Sequence, residues 1–202
     1  MNLNEKLKAE SRIYNDIVQQ NFYDTYYNNT LKAIMGLQWI DRYCSDAAYY
    51  LFIDDDYYLN PKILIKYLNE NIKNNETLLN NLYAGFVFKN SSPMRHQFSK
   101  WYISLEEYPY HKFPPYVSAG CYILTKNSAK LFYKATKLIT LFRFDDIYLG
   151  ILAYKLKIEP LNVEQIYFYP PEFDYKNYAE SIIASHGFSP SLLLDTWKKI
   201  YK

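Results

Sequence analysis

Residues 48–56 read AYYLFIDDD, a short apolar run rich in aromatic side chains followed at once by three carboxylates. A run of that length and composition is the signature of a buried strand. Consecutive charges cannot follow it into the interior. The strand must therefore end at an edge where something offsets three negative charges. While extended geometry persists, alternate side chains share a face, so Asp54 and Asp56 turn one way and Asp55 the other. Two convergent carboxylates suit Mg²⁺ or Mn²⁺, which also take diphosphate oxygens as ligands. The plainer alternative is a solvated turn whose aspartates cap the next helix, and for an isolated Asp-x-Asp that alternative is the commoner one.

The surrounding pattern places this edge in a layered fold. Between Asn29 and Cys44 the apolar residues Leu31, Ile34, Leu37 and Trp39 recur near helical spacing. Asn60 and Pro61 supply an N-cap and a first helical residue for a helix with Ile63, Leu64, Tyr67 and Leu68 on one face. YAGFVF (83–88) and CYILT (121–125) read as strands, and NSAKLFYKATKL (127–138) as an amphipathic helix. FRFDDIYLGILAYKL (142–156) opens a further helix, whose N-terminal end favours the paired acids Asp145 and Asp146. Short strands are expected at KIEPL, EQIYFY and SIIAS, and a last helix around Trp197, while residues 91–118, with four prolines, look irregular. Strands alternating with helices indicate an α/β fold. With no repeat or linker in its 202 residues, the chain is expected to form one domain, residues 1–202.

Several function classes drop out. A net charge of +2 without a Lys/Arg stripe argues against a nucleic-acid partner. No apolar run approaches the roughly 18 residues that span a bilayer, and the polar start MNLNEKLKAESR does not read as a signal peptide. Three Asn-x-Ser/Thr triplets, at Asn28, Asn75 and Asn90, are compatible with the secretory pathway, although an Asn-rich chain produces them by chance. An aspartate-based phosphatase would want Asp-x-Asp-x-Thr/Val, which Asp54-Asp55-Asp56-Tyr57-Tyr58 lacks.

Two further positions can carry chemistry. A carboxylate at Asp145 or Asp146 can accept a proton from an attacking hydroxyl, the alternative being a helix cap. His186, at a strand end before Gly187, suits a metal ligand through a neutral ring nitrogen, the alternative being a structural role. His96 and His111 look like ordinary surface residues.

Taken together, the motifs have a familiar order. ESRIYNDIVQQNFYDTYYNNTLKAI (10–34), then Trp39 and Cys44, Asp54-Asp55-Asp56, Gly85, RHQFSKWYISLEEYP, FPPYVSAGCYILT, LFRFDDIYLG and IIASHGF resemble the family 31 glycosyltransferases. That family comprises the β1,3-galactosyl and β1,3-N-acetylglucosaminyl transferases. The last two blocks look most like its Brainiac-type branch. The resemblance implies a GT-A-type mixed sheet flanked by helices, and a divalent cation, usually Mn²⁺. It implies UDP-galactose or UDP-N-acetylglucosamine as donor, and a glycolipid or glycoprotein acceptor in the Golgi lumen. It assigns Asp54, Asp56 and His186 to the metal and Asp146 to the catalytic base of an inverting displacement. Asp55, Arg95, Lys100 and Gly120 are expected on the donor side, Arg95 against diphosphate or a nearby acid and Gly120 where backbone approaches the sugar. Trp101, Tyr116 and Asp145 are expected on the acceptor side, with Tyr116 stacking on a sugar ring and core packing the alternative for Trp101.

Three departures from the family accompany these expectations. The family's membrane anchor and its opening strand and helix, which help hold uridine, are expected to be missing ahead of residue 10. A truncated, non-catalytic protein that binds a sugar or a partner is therefore the alternative function. The loop that often reads Cys-Ser-Gly-Gly-Gly is Val117-Ser118-Ala119-Gly120-Cys121, where alanine is costly if φ must be positive. Val117 also replaces the expected partner of Cys44, leaving a bridge to Cys121 open. Finally, the usual Glu-Asp-Val is the conservative Asp145-Asp146-Ile147.

Overall fold

A computed structural model describes residues 2–201. Helix α1 (Leu3–Tyr14) is capped by a reciprocal pair, Asn2 accepting from the Glu5 N–H while Glu5 accepts from the Asn2 N–H, and it buries no residue. A 3₁₀ turn (Tyr26–Asn28) leads into α2 (Asn29–Tyr43), which buries Thr30, Ala33, Leu37 and Ile40. That three- and four-residue spacing is one stripe of a 3.6-residue helix. β1 (Tyr49–Ile53) stops where the aspartates begin, and β2 (Tyr57–Leu59) follows. Asn60 accepts from the Ile63 N–H at 3.3 Å and Pro61 opens α3 (Pro61–Tyr67), as read from the sequence.

A π-helical turn (Leu68–Ile72) extends α3, and after it come α4 (Glu76–Asn81), β3 (Tyr83–Phe88), β4 (Tyr116–Thr125), α5 (Lys126–Thr136) and α6 (Asp145–Leu156). After them come β5 (Leu161–Asn162), β6 (Ile166–Tyr167), α7 (Tyr175–Glu180), β7 (Ala184–His186) and α8 (Pro190–Tyr201). The strand expected at residues 121–125 extends back to Tyr116, the one expected in KIEPL is a two-residue strand that begins only at its last residue, and that in EQIYFY shrinks to two residues. The sequence reading did not anticipate α1, β2, α4 or α7, all of them short or polar.

The larger sheet has the order β1-β4-β3-β5, antiparallel across β4 on both sides and parallel between β3 and β5. A smaller sheet, β2-β7-β6, pairs β2 antiparallel and β6 parallel to β7. Helices flank this mixed assembly. Side chains of β4 alternate between two cores, as a two-residue period requires. Tyr122 and Leu124 join Leu37, Phe132, Tyr148 and Leu149 under α2, α5 and α6. Cys121 and Ile123 join Leu64, Ile72 and Ile183 on the opposite face.

That alternation also answers the disulfide question. Cys44 packs against the first core and Cys121 lies in the second, so both thiols are free. Burial, with the Asp54 charge adding to it, pushes the Cys121 thiol up to about 12. Ala119 lies inside β4 and does not have a positive φ, so its replacement of glycine carries no backbone strain. The irregularity is absorbed by register instead, because Ser118 to Cys121 stand opposite Phe86 alone between the Gly85–Tyr122 and Val87–Val117 pairs.

Candidate active site

Where β1 ends, the chain reverses. The Asp54 N–H donates to the Gly120 carbonyl at 2.9 Å, and the Tyr57 N–H to the Asp54 carbonyl at 3.3 Å. The turn delivers β2 antiparallel to β7, with Tyr57 opposite His186. This register is what brings residues 130 positions apart together, His186 Nε2 lying 3.0 Å from Asp56 Oδ2. The Asp56 carbonyl accepts from the Gly187 and Phe188 N–H groups at 3.1 and 2.9 Å. Gly187 reaches it at a φ of +95°, a conformation that favours glycine.

Asp56 Oδ1 is buried without a hydrogen-bond partner among the described residues. An unpaired carboxylate oxygen beside an imidazole is a hard-oxygen and nitrogen donor pair seeking a cation. Asp54 adds a second carboxylate nearby. Its pKa is raised by partial burial and then by the charges of Asp56, Asp145 and Asp55, with His186 acting the other way. Among the described residues no three His, Cys, Asp or Glu side chains are already gathered at metal-binding distances. The chain therefore offers part of a coordination shell that ligand oxygens would complete, and the residues present fit a divalent cation in that sense.

The second acidic pair opens α6. Phe144 is the N-cap, and Asp146 Oδ1 accepts from the Ile147 N–H at 2.7 Å. Burial, and next the neighbouring Asp145 charge, raise Asp146 to about 7, although the Ile147 N–H and its own N–H favour the charged form. Asp145 is raised as well, by burial, with the helix-start N–H groups opposing the shift.

Two clefts meet between these pairs. One, of about 320 Å³, is lined by Lys32, Asp55, Asp56 and Tyr122. The other, of about 600 Å³, is lined by Trp101, Tyr116, Ser118, Gly120, Phe144 and Asp146. Both include Asn29, Asp54, Ala119 and Asp145. The two acidic motifs, some 90 residues apart in sequence, thus share one continuous concavity, as binding sites in α/β folds commonly do.

Several expected residues hold different places. Arg95 does not face the acids. Its guanidinium donates to the carbonyls of Ile103, Ser104, Tyr108 and Tyr110 at 2.7–3.0 Å. Because an arginine fork can serve several acceptors at once, Arg95 ties down an irregular segment that lacks its own backbone ladder. Gly120 faces Tyr57, since a Cβ there would come within 2.6 Å of the Tyr57 ring. Tyr116 is buried with one ring face stacked on Phe88 at 5.3 Å, so that face is committed to protein. Trp101 is 50% exposed rather than core-packed, and its Nε1 donates to the Tyr26 hydroxyl at 3.1 Å. Lys100 lies over the Trp101 ring at 4.5 Å and the Tyr26 ring at 5.5 Å.

The sequence reading missed Asn29 and Tyr122. Asn29 stands at the start of α2 where both clefts meet, and nothing in its neighbours announces that. Tyr122 stacks on Phe52 at 4.5 Å, with its hydroxyl buried and unpartnered. It is one residue from Cys121, and strand parity alone decides which of the two faces the acids.

Comparison with known proteins finds relatives over most of the chain. The family model described as galactosyltransferase matches residues 1–164. The β-1,3-galactosyltransferase brn of Drosophila melanogaster is 42% identical over 191 residues, covering 94% of this chain and 58% of that protein. Human β-1,3-galactosyltransferase 5 is 33% identical over 199 residues, covering 97% of this chain and 62% of that protein. The chain thus spans about three-fifths of the length of these relatives. A solved glycosyltransferase involved in glycosylation of the major capsid of PBCV-1 aligns at a TM-score of 0.45 and 12% identity, covering 96% of this chain and 88% of that one.

Proposed function

The chain belongs to the galactosyltransferase family, and from that premise we propose that it is the catalytic domain of an inverting β1,3-hexosyltransferase of GT-A type. It moves galactose or N-acetylglucosamine from a UDP-sugar to a glycan acceptor, a glycolipid or a glycoprotein, on the luminal side of the Golgi membrane. The observation that carries this reading is the single concavity joining Asp54 and Asp56, which His186 contacts, to Asp146, whose carboxyl is lifted to about 7.

The smaller cleft, with Asp54, Asp55 and Asp56 on its wall, is the donor side. Asp54, Asp56 and His186 would hold a divalent cation, Mn²⁺ by family resemblance. When bound, the cation supplies Lewis-acid stabilisation of negative charge on the leaving diphosphate. The larger cleft is the acceptor side, where the half-exposed Trp101, with Lys100 over its ring, lines the wall that a sugar would meet. Asp146 accepts the proton of the acceptor hydroxyl as its oxygen bonds to the anomeric carbon, and UDP leaves from the opposite face. Configuration at that carbon inverts. A carboxyl of pKa about 7 is matched to this task, being ionised often enough near neutrality and basic enough to take the proton. Asp145, at the junction of the clefts, lies where the two sugars would meet.

Calorimetry of UDP binding to the chain, with and without Mn²⁺, tests the donor side. Mn²⁺-dependent binding that disappears in Asp56→Ala is the expected result. A folded chain that binds no UDP under either condition would overturn the reading.

A further inference from the structure

The proposed chemistry assigns no role to the acceptor asparagines of the three Asn-x-Ser/Thr triplets, and the fold treats them differently. Asn28 donates its amide nitrogen to the Tyr23 carbonyl at 2.8 Å. Thr30, in the same triplet, is 3% exposed, and its hydroxyl donates to the Phe142 carbonyl at 2.7 Å. A glycan at Asn28 would be attached at the nitrogen that donates to Tyr23, on a residue that is only partly exposed. Asn90 is exposed, but the Ser91 and Ser92 that follow it line the larger cleft, so a glycan there would stand in its mouth.

Asn75 differs on each count. Both Asn75 and Thr77 are exposed. Asn75 caps α4 by accepting the Leu78 N–H on Oδ1 at 3.1 Å, and its Nδ2 has no hydrogen-bond partner among the described residues. The cap and a glycan use different atoms of the same amide. N-glycosylation takes Nδ2 and leaves Oδ1 an acceptor, so the helix keeps its cap. Topology also places the C-terminal end of the helix that Asn75 caps at the end of the sheet opposite the acids. Helix α4 runs into Tyr83, which pairs with Leu124, and the adjoining Thr125 pairs with Tyr49 at the start of β1. The acids lie beyond the other end of β1.

We propose that Asn75 is an N-glycosylation site, an inference that rests on the luminal residence given above. The substrate is an oligosaccharide carried on a lipid diphosphate. Asn75 Nδ2 attacks its anomeric carbon. A C–N bond forms as the C–O bond to diphosphate breaks, and the lipid diphosphate leaves with the electron pair. One amide proton passes to a base of the transferring enzyme, and the other stays on Nδ2.

The test expresses the full natural gene product in secreting eukaryotic cells and removes glycans with peptide N-glycosidase in heavy-oxygen water. Every glycosylated asparagine then becomes an isotopically marked aspartate. The expected result is a mark at position 75, seen by mass spectrometry, lost completely in Thr77→Ala and regained in Thr77→Ser. Thr77→Ala keeps the Asn75 cap, so an unchanged melting temperature shows that loss of the mark is not misfolding. An unmarked Asn75 in protein recovered folded from the lumen would overturn the site. Protease protection in sealed microsomes reads the premise separately, because a product digested there overturns luminal residence and this site with it.

Discussion

The two acidic motifs solve the same problem, clustered negative charge, in opposite ways. Asp54, Asp55 and Asp56 sit on a turn between two sheets, with one face in an open cleft and His186 at 3.0 Å. Asp145 and Asp146 sit in the first turn of a helix, where N–H groups favour the anion but burial opposes it, and Asp146 rises to about 7. The first arrangement leaves an unpaired carboxylate oxygen that a cation can satisfy, and the second leaves a carboxyl that a proton can satisfy. Hence the first suits binding and the second suits proton transfer.

The largest expected effect breaks the pair into its two functions. Asp146→Asn should lower the turnover of sugar transfer by about 10²–10⁴-fold, the range for loss of a general base, while UDP affinity stays within about twofold. A comparable loss of UDP affinity, measured by calorimetry, would show that the motifs are not divided in this way. The converse variant, Asp56→Ala, should weaken Mn²⁺-dependent UDP binding by about a hundredfold, at or beyond the upper end of what lost support around a metal costs. If binding survives, the unpaired Asp56 oxygen has another purpose.

Acidification sharpens the contrast more gently. A base of pKa about 7 is ionised at pH 8 and mostly protonated at pH 6, so turnover should fall roughly tenfold across that interval. A flat profile over this range would argue against Asp146 as the base. Stability gives the smallest signal, and its sign is distinctive. The folded pKa of Asp146 lies above its ordinary value of 3.8, so the folded chain holds the extra proton between about pH 4 and 7. The cost of burying the charge is absent below that window, grows through it and is complete above it. Asp146→Asn should therefore raise the melting temperature at pH 8 by several degrees and leave it unchanged near pH 4. A uniform shift at both values would assign the gain to packing.

Much of this was legible locally. Asn60 and Pro61 start a helix because a side-chain oxygen satisfies a free N–H and proline lacks the N–H that a first turn leaves unused. Strand β1 stops at Ile53 because the next residues are charged, and α6 begins at Asp145 because carboxylates favour a helix start. What stayed illegible depended on partners distant in sequence. Arg95 bonds carbonyls 8 to 15 residues away in a segment without periodicity. Gly120 is required by the Tyr57 ring, and Tyr116 is committed to Phe88.

The sequence by itself determined which residues carry charge, where strands and helices begin, and the ordered set of motifs that marks the family. Those features rest on propensity, capping and alternation, which act over a few residues. The family resemblance had already put His186 with Asp56, but only the tertiary structure decided their 3.0 Å contact, that Asn29 and Tyr122 join the site, and that the two acidic motifs share one concavity. Strand register and helix docking set those distances, and both are fixed by burying two cores at once on opposite faces of β4.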